Sequence, residues 1–171
     1  MQTSSVQRAE RTFAAIQEAG DEGRRIFTQV YEQSALAAAR AADERSKNGI
    51  TLGPLDGRMV SVKDLYDIAG EVTTAGSAVL RSADPARRDA VIVHRLRQAG
   101  AVIVGKTNMT EFAFSGIGIN PHYGTPGNAR DVTRIPGGSS SGAGVAVARG
   151  MSEISIGSDT GGSVRIPSAL N

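Results

Sequence analysis

Three lysines stand against sixteen arginines in this 171-residue chain, and two of them, Lys63 and Lys106, come directly after apolar runs. That setting bears on acid–base chemistry. A free lysine has a pKa near 10.4, so a neutral amine at pH 7 needs a perturbation of about 3.4 units, roughly 4.6 kcal/mol. Burial supplies shifts of up to about 3–5 units. The competing use of a lysine at a strand end is to bury its stem and carry the ammonium to water, and either lysine taken alone fits that use. Lys47 sits at a helix end. The two histidines offer less: His94 lies in a helical segment beside Arg95, and His122 lies in Asn-Pro-His-Tyr-Gly, which is good turn chemistry. With no cysteine, thiolate nucleophiles, disulfides and cysteine metal sites are excluded.

Two serine clusters supply candidate nucleophiles. Pro136 to Gly144 reads PGGSSSGAG and runs into an Ala/Val segment. A phosphate-cradling loop fails on detail, because no lysine follows as GxxxxGK(S/T) requires and no strand precedes it as a dinucleotide fingerprint requires. A flexible linker is the plain alternative. Thr160-Gly161-Gly162-Ser163 follows an apolar run and precedes Val-Arg-Ile-Pro, so Ser163 falls on a tight turn whose glycines let the backbone bend. The successive amides of Thr160, Gly161, Gly162 and Ser163 can converge on a developing oxyanion, where one donor is typically worth about 2.7–4 kcal/mol. The GxSxG elbow of α/β-hydrolases is absent. By itself, GGS is a common turn.

The elements that position these residues read as an α/β arrangement with a mixed sheet. Helical character runs over 6–19 and 34–47, with Ser34 as a cap for the second, and a strand-like 26–31 lies between them. Gly49–Gly57 is a turn-rich connection into a strand at 59–62, after which Lys63 follows. Ala-Val-Ile-Val occurs twice with different contexts. At 90–93 it is followed by HRLRQAG and reads as a helix closed at Gly100. At 101–104 it is a β-branched run ending at Gly105, followed by Lys106. A short helix is expected at 110–114, a long ordered loop at 115–138, a helix at 141–149 and a strand at 153–156.

The bulk composition, 40% hydrophobic and 21% charged, is that of a folded globular chain. The formal charge of +2 and pI near 9.3 come from arginines spread along the sequence, without the stripe that follows a phosphate backbone, so no nucleic-acid partner is expected. The first residues lack the apolar core of a signal peptide, and no apolar run reaches the roughly 18 residues of a membrane span. A cytoplasmic protein is expected.

Taken together, VSVKDLYDIAG, GKTNMTEFA, PGGSSSGAG and GSDTGGSVRIPSALN resemble the amidase-signature family in order and spacing, from about Gly53 to Asn171. The resemblance implies that family's mixed-sheet fold and an amidohydrolase acting on a small carboxamide. It places the general base on Lys63, the bridging serine on Ser139, with its backbone held in a cis peptide, and the acyl-forming nucleophile on Ser163. Ser140 and Ser141 are the nearest alternatives to Ser139. It implies an oxyanion hole at Thr160–Ser163, an acyl pocket near Phe114, Ser115 and Gly116, and a supporting ion pair between Asp159 and Arg165. Lys106 is expected to be structural support. No metal or organic cofactor is required. The glutaminase-type component of a tRNA-dependent amidotransferase shares this chemistry and is the rival reading. Amidotransferase partner subunits or a homodimer belong to the same range of expectation.

Family members continue well past the position of Asn171. Residues 1–171 are therefore expected to be the amino-terminal part of one such domain, truncated after the nucleophile turn, with 1–48 a helical lead-in and 49–171 the catalytic portion. Apolar surface should then be exposed where further chain would pack, and a catalytically silent truncated fragment is the remaining alternative for the 171 residues alone.

Overall fold

A computed structural model describes residues 3–171. The chain opens with α1 (Ser5–Glu18), α2 (Asp21–Ile26) and β1 (Phe27–Val30), and continues through α3 (Glu32–Lys47) into β2 (Met59–Lys63). There follow α4 (Val91–Gln98), β3 (Val102–Thr107), a 3₁₀ turn (Glu111–Ala113), α5 (Ser141–Ala148), β4 (Ile154–Ile156) and α6 (Arg165–Leu170). The sheet order is β1-β3-β2-β4. β2 runs parallel to both of its neighbours, and β1 closes one edge antiparallel to β3, so the sheet is mixed as expected.

Local chemistry explains the helix starts. Ser4 accepts from the Gln7 amide at 3.1 Å while the Gln7 side chain accepts from the Ser4 amide at 3.1 Å, a reciprocal cap for α1. Asp43 of α3 accepts from the Ser5 and Val6 amides at 2.6 and 3.0 Å, so the two helices are joined at that end. The expected cap at Ser34 is not formed. α3 begins two residues earlier, and the Ser34 hydroxyl donates to the Tyr31 carbonyl at 3.3 Å. The strand at 27–30 turns directly into that helix, which leaves no room for a separate cap.

Two apolar layers enclose the sheet. On one side Ala9 and Phe13 of α1 and Ala35 and Ala39 of α3 meet Met59, Val102, Val104, Val145 and Ala146. On the other, Val60 and Val62 of β2 meet Val93 and Leu96 of α4 and Ile103 of β3. The two Ala-Val-Ile-Val copies separate as expected: the first starts α4 and the second lies in β3. Gly100, at φ +78°, makes the left-handed turn between them. Residues 5–47 supply an edge strand and a large share of the first core, so they are integral to the packing.

Several bounds differ from the sequence reading, and two of them matter. Lys63 is the last residue of β2 and Lys106 lies inside β3; neither follows its strand. β2 is central and buried along its whole length, so pairing on both sides carries the strand through the lysine. The expected helix at 110–114 is only a 3₁₀ turn, with Phe112 and Ala113 both at positive φ. α2 and α6, short elements at the chain's turns, were not foreseen. Among the described residues no helix is long and apolar enough to cross a membrane.

Candidate active site

Alternation along β2 puts Met59, Ser61 and Lys63 on one face and Val60 and Val62 on the other. The first face looks toward α5, and Lys63 reaches the segment that opens that helix. Its Nζ lies 2.7 Å from Ser139 Oγ, with both residues fully buried. The Gly138–Ser139 peptide is cis, at the bond the family resemblance implied. Of the three adjacent serines it is Ser139 that faces the lysine. The Ser140 hydroxyl points toward the Ser158 carbonyl at 3.5 Å, and Ser141 is buried within α5.

The backbone brings the two serine clusters together. The Ser140 amide donates to the Ser163 carbonyl at 3.1 Å, and the Ser139 carbonyl accepts from the Thr110 amide at 3.0 Å. The Gly142 amide donates to the Asn108 carbonyl at 3.0 Å. A Cβ on Gly142 would run into the Ile26 and Asn108 backbone, so close approach fixes that glycine. Ser163 is half-buried at the start of the turn into α6.

The two buried lysines have different surroundings. Lys106 forms an ion pair with Asp64 at 3.0 Å and donates to Thr73 Oγ1 at 2.8 Å and the Val72 carbonyl at 3.2 Å. Asp64 also accepts from the Thr74 hydroxyl at 2.5 Å. Lys106 is thus committed to a buried charge pair, in keeping with structural support. Among the described residues no carboxylate lies within 4 Å of Lys63; its near neighbours are the hydroxyls of Ser139 and Ser158. Burial pushes the Lys63 ammonium down to about 8, with the more distant charge of Asp159 opposing the shift.

Asp159 organises the turn that carries Ser163. Its carboxylate accepts from the amides of Gly162, Val164 and Arg165 at 2.8–3.1 Å and from the Arg165 guanidinium at 2.9 and 3.0 Å. The Arg165 bonds, followed by the backbone amides, hold the carboxyl well below the usual carboxylate range. Of the four expected oxyanion donors, the Gly162 amide is therefore already engaged. Among the described residues no protein acceptor takes the amides of Thr160, Gly161 or Ser163.

The expected acyl-pocket residues divide. The Gly116 carbonyl accepts from the Gly138 amide at 2.8 Å, one residue from Ser139, and the Ser115 hydroxyl accepts from the Ile117 amide at 3.3 Å. Phe114 departs from expectation: the residue is 93% exposed. The left-handed pair Phe112–Ala113 turns the chain outward there. A groove of 460 Å³ lies instead on the far side of Ser140, between α5, β4 and α6, lined by Val147, Ile154, Val164 and Pro167. His94 is exposed on α4, and His122 faces Glu111 at 3.3 Å.

Two participants were not singled out by sequence reasoning. Asp64 follows Lys63 in the chain, yet its partner is Lys106. Ser158 is one residue before Asp159, and its hydroxyl sits 2.8 Å from Lys63 Nζ. Parallel pairing of Val62 with Ile156 brings the ends of β2 and β4 level, and that register places Ser158 beside the lysine.

Comparison with known proteins identifies the family to which the chain is similar. The family model described as Amidase matches residues 10–171. AtzE, the 1-carboxybiuret hydrolase component of Pseudomonas sp. (strain ADP), is 49% identical over 144 residues, 84% of this chain and 32% of that protein. The GatA-type component of the glutamyl-tRNA(Gln) amidotransferase of Chloroflexus aurantiacus is 48% identical over 146 residues, 85% of this chain and 30% of its own length. Among solved structures, a chain of a vestigial protein complex described as revealing the evolutionary origins of an s-triazine catabolic enzyme superposes with a TM-score of 0.91 at 46% identity, covering 97% of this chain and 36% of that one. The native peptide amidase of Stenotrophomonas maltophilia superposes with a TM-score of 0.88 at 34% identity, covering 99% and 36%. The chain thus spans about a third of the length of the curated relatives it matches.

Proposed function

Because the chain belongs to the amidase family, we propose that it carries the nucleophile and proton relay of an amidohydrolase acting on a small carboxamide. The observation that carries the reading is the pair Lys63–Ser139: a fully buried amine, 2.7 Å from a buried hydroxyl and without a carboxylate partner among the described residues. Such an amine can be neutral near neutral pH. In the proposed cycle Lys63 accepts the Ser139 proton, and Ser139 takes the proton of Ser163 as that oxygen attacks the amide carbonyl. The amides of Thr160, Gly161 and Ser163 stabilise the oxyanion, and that of Gly162 joins them if its bond to Asp159 opens. The relay run backwards protonates departing ammonia or amine, and water then releases the acid from Ser163.

A fluorophosphonate probe, which phosphonylates activated serines, tests the reading. Labelling at Ser163 is expected in the wild-type chain, abolished in S163A and reduced at least a hundredfold in K63A. A wild-type chain that stays unlabelled while folded counts against the proposal. The second reading, a glutaminase-type component working with amidotransferase partner subunits, is favoured by the 48% identity to the Chloroflexus protein. Ammonia release from simple carboxamides by the chain alone supports the first reading, and strict dependence on partners supports the second.

A further inference from the structure

Lys63 has two hydroxyl neighbours, and the relay described above uses only one. Ser139 Oγ lies 2.7 Å from Nζ and Ser158 Oγ lies 2.8 Å from it, the first from the segment opening α5 and the second from the end of β4. A neutral primary amine has two N–H donors and one lone pair, which rotate together about the last side-chain bond. To act as a base toward Ser139, the lone pair must face that hydroxyl. We infer that Ser158 is a positioning residue for Lys63: by accepting an N–H from Nζ it turns the lone pair away from itself and leaves it free for Ser139. Once the lysine is protonated, two of its three N–H groups donate to the two hydroxyls, so Ser158 also holds the ammonium through the acylation step.

The surroundings make the role specific. Ser158 is held from both sides, since the Tyr66 hydroxyl donates to the Gly157 carbonyl at 2.8 Å and Asp159 is tied to the turn by Arg165. The other charged groups near Lys63 are taken. Asp64 is paired with Lys106, and Asp159 is engaged by Arg165 and three amides. Ser158 is thus the neighbour able to fix the amine without adding a charge that would keep it protonated.

The inference rests on the proposed relay, and two readouts separate them. With only three lysines, ¹³C-lysine labelling gives three side-chain signals, each assignable by substitution. The wild-type Lys63 signal is expected to titrate near pH 8. In S158A its midpoint falls by half a unit or more, because the charged form loses an acceptor, and fluorophosphonate labelling of Ser163 slows at least tenfold above both midpoints. S158T restores the midpoint and brings the labelling rate back to within twofold of wild type. An S158A midpoint equal to wild type overturns the inference, whatever the labelling rate. A wild-type chain that never labels, with a shifted S158A midpoint, defeats the hydrolase reading and leaves the Ser158–Lys63 bond supported. Should S158A not fold, S158C keeps the volume with a weaker acceptor and is read in the same way.

Discussion

At the scale of single residues, the charge state of Lys63 governs both proposed chemistry and stability. If the neutral amine is the base, Ser163 labelling rises with pH on a limb centred near 8 and levels above it, which a rate profile from pH 6 to 10 would display. The same shift has a stability consequence with a definite sign. The folded-state value is about 8 against 10.5 in the open chain, so between those values the unfolded state binds more protons and stability rises with pH. The window of about 2.5 units corresponds to about 3 kcal/mol. Chemical denaturation of wild type and K63M is therefore expected to show the difference moving toward wild type by roughly that amount from pH 7 to 10.5. A pH-independent difference would mean that Lys63 is solvated.

Lys106 gives the contrasting case. Its ammonium and the Asp64 carboxylate are both fully buried, so removing one leaves the other without its partner. Replacing Lys106 by Met is expected to destabilise the fold by about 3–5 kcal/mol, read by urea denaturation, while the Lys63 titration stays in place. In the sequence these two lysines have similar settings, each at an apolar run. Their difference comes from residues 64, 72 and 73 on one side and 139 and 158 on the other, which no local pattern connects.

At the scale of elements, what matters is how closely the segment opening α5 approaches β3 and α2. Gly142 lies in the first turn of α5, and a methyl group there would meet the Ile26 carbonyl and the Asn108 backbone. Backbone atoms do not yield as flexible side chains do, so G142A is expected to cost at least about 2 kcal/mol and to displace Ser139 from Lys63. Thermal melting checks the first effect and loss of Ser163 labelling in the folded fraction checks the second. For the melting measurement alone G161A is the control, because a Cβ there meets open space. Its position relative to Ser163 is visible in GGS, whereas the need for glycine at 142 comes from a contact across more than a hundred residues.

At the scale of the whole molecule, one edge of the sheet and one face of the loops carry exposed apolar surface. β4 ends the sheet, the groove beside it is lined by Val147, Ile154 and Val164, and Phe112, Phe114, Ile117 and Ile119 stand exposed near the proposed site. Patches of this kind on a soluble chain bind other surfaces. The 171-residue chain is expected to bind a hydrophobic dye strongly and to associate with rising concentration in sedimentation velocity. A monomer silent toward the dye at all concentrations would show that these side chains fold inward in solution.

The local sequence determined much of this protein by itself: a mixed α/β chain, a helix and a strand from two copies of Ala-Val-Ile-Val, and the four motifs that carry the family resemblance. These follow from periodicity, from turn chemistry at Gly100 and from strings of adjacent residues, all of which act over a few positions. Tertiary structure alone decided which lysine is paired with a carboxylate, that Gly162 is held by Asp159, that Phe114 faces outward and that Ser158 lies against Lys63. Each depends on strand register or on two loops meeting, and hydrogen bonds and charges act through distances that chain spacing does not set.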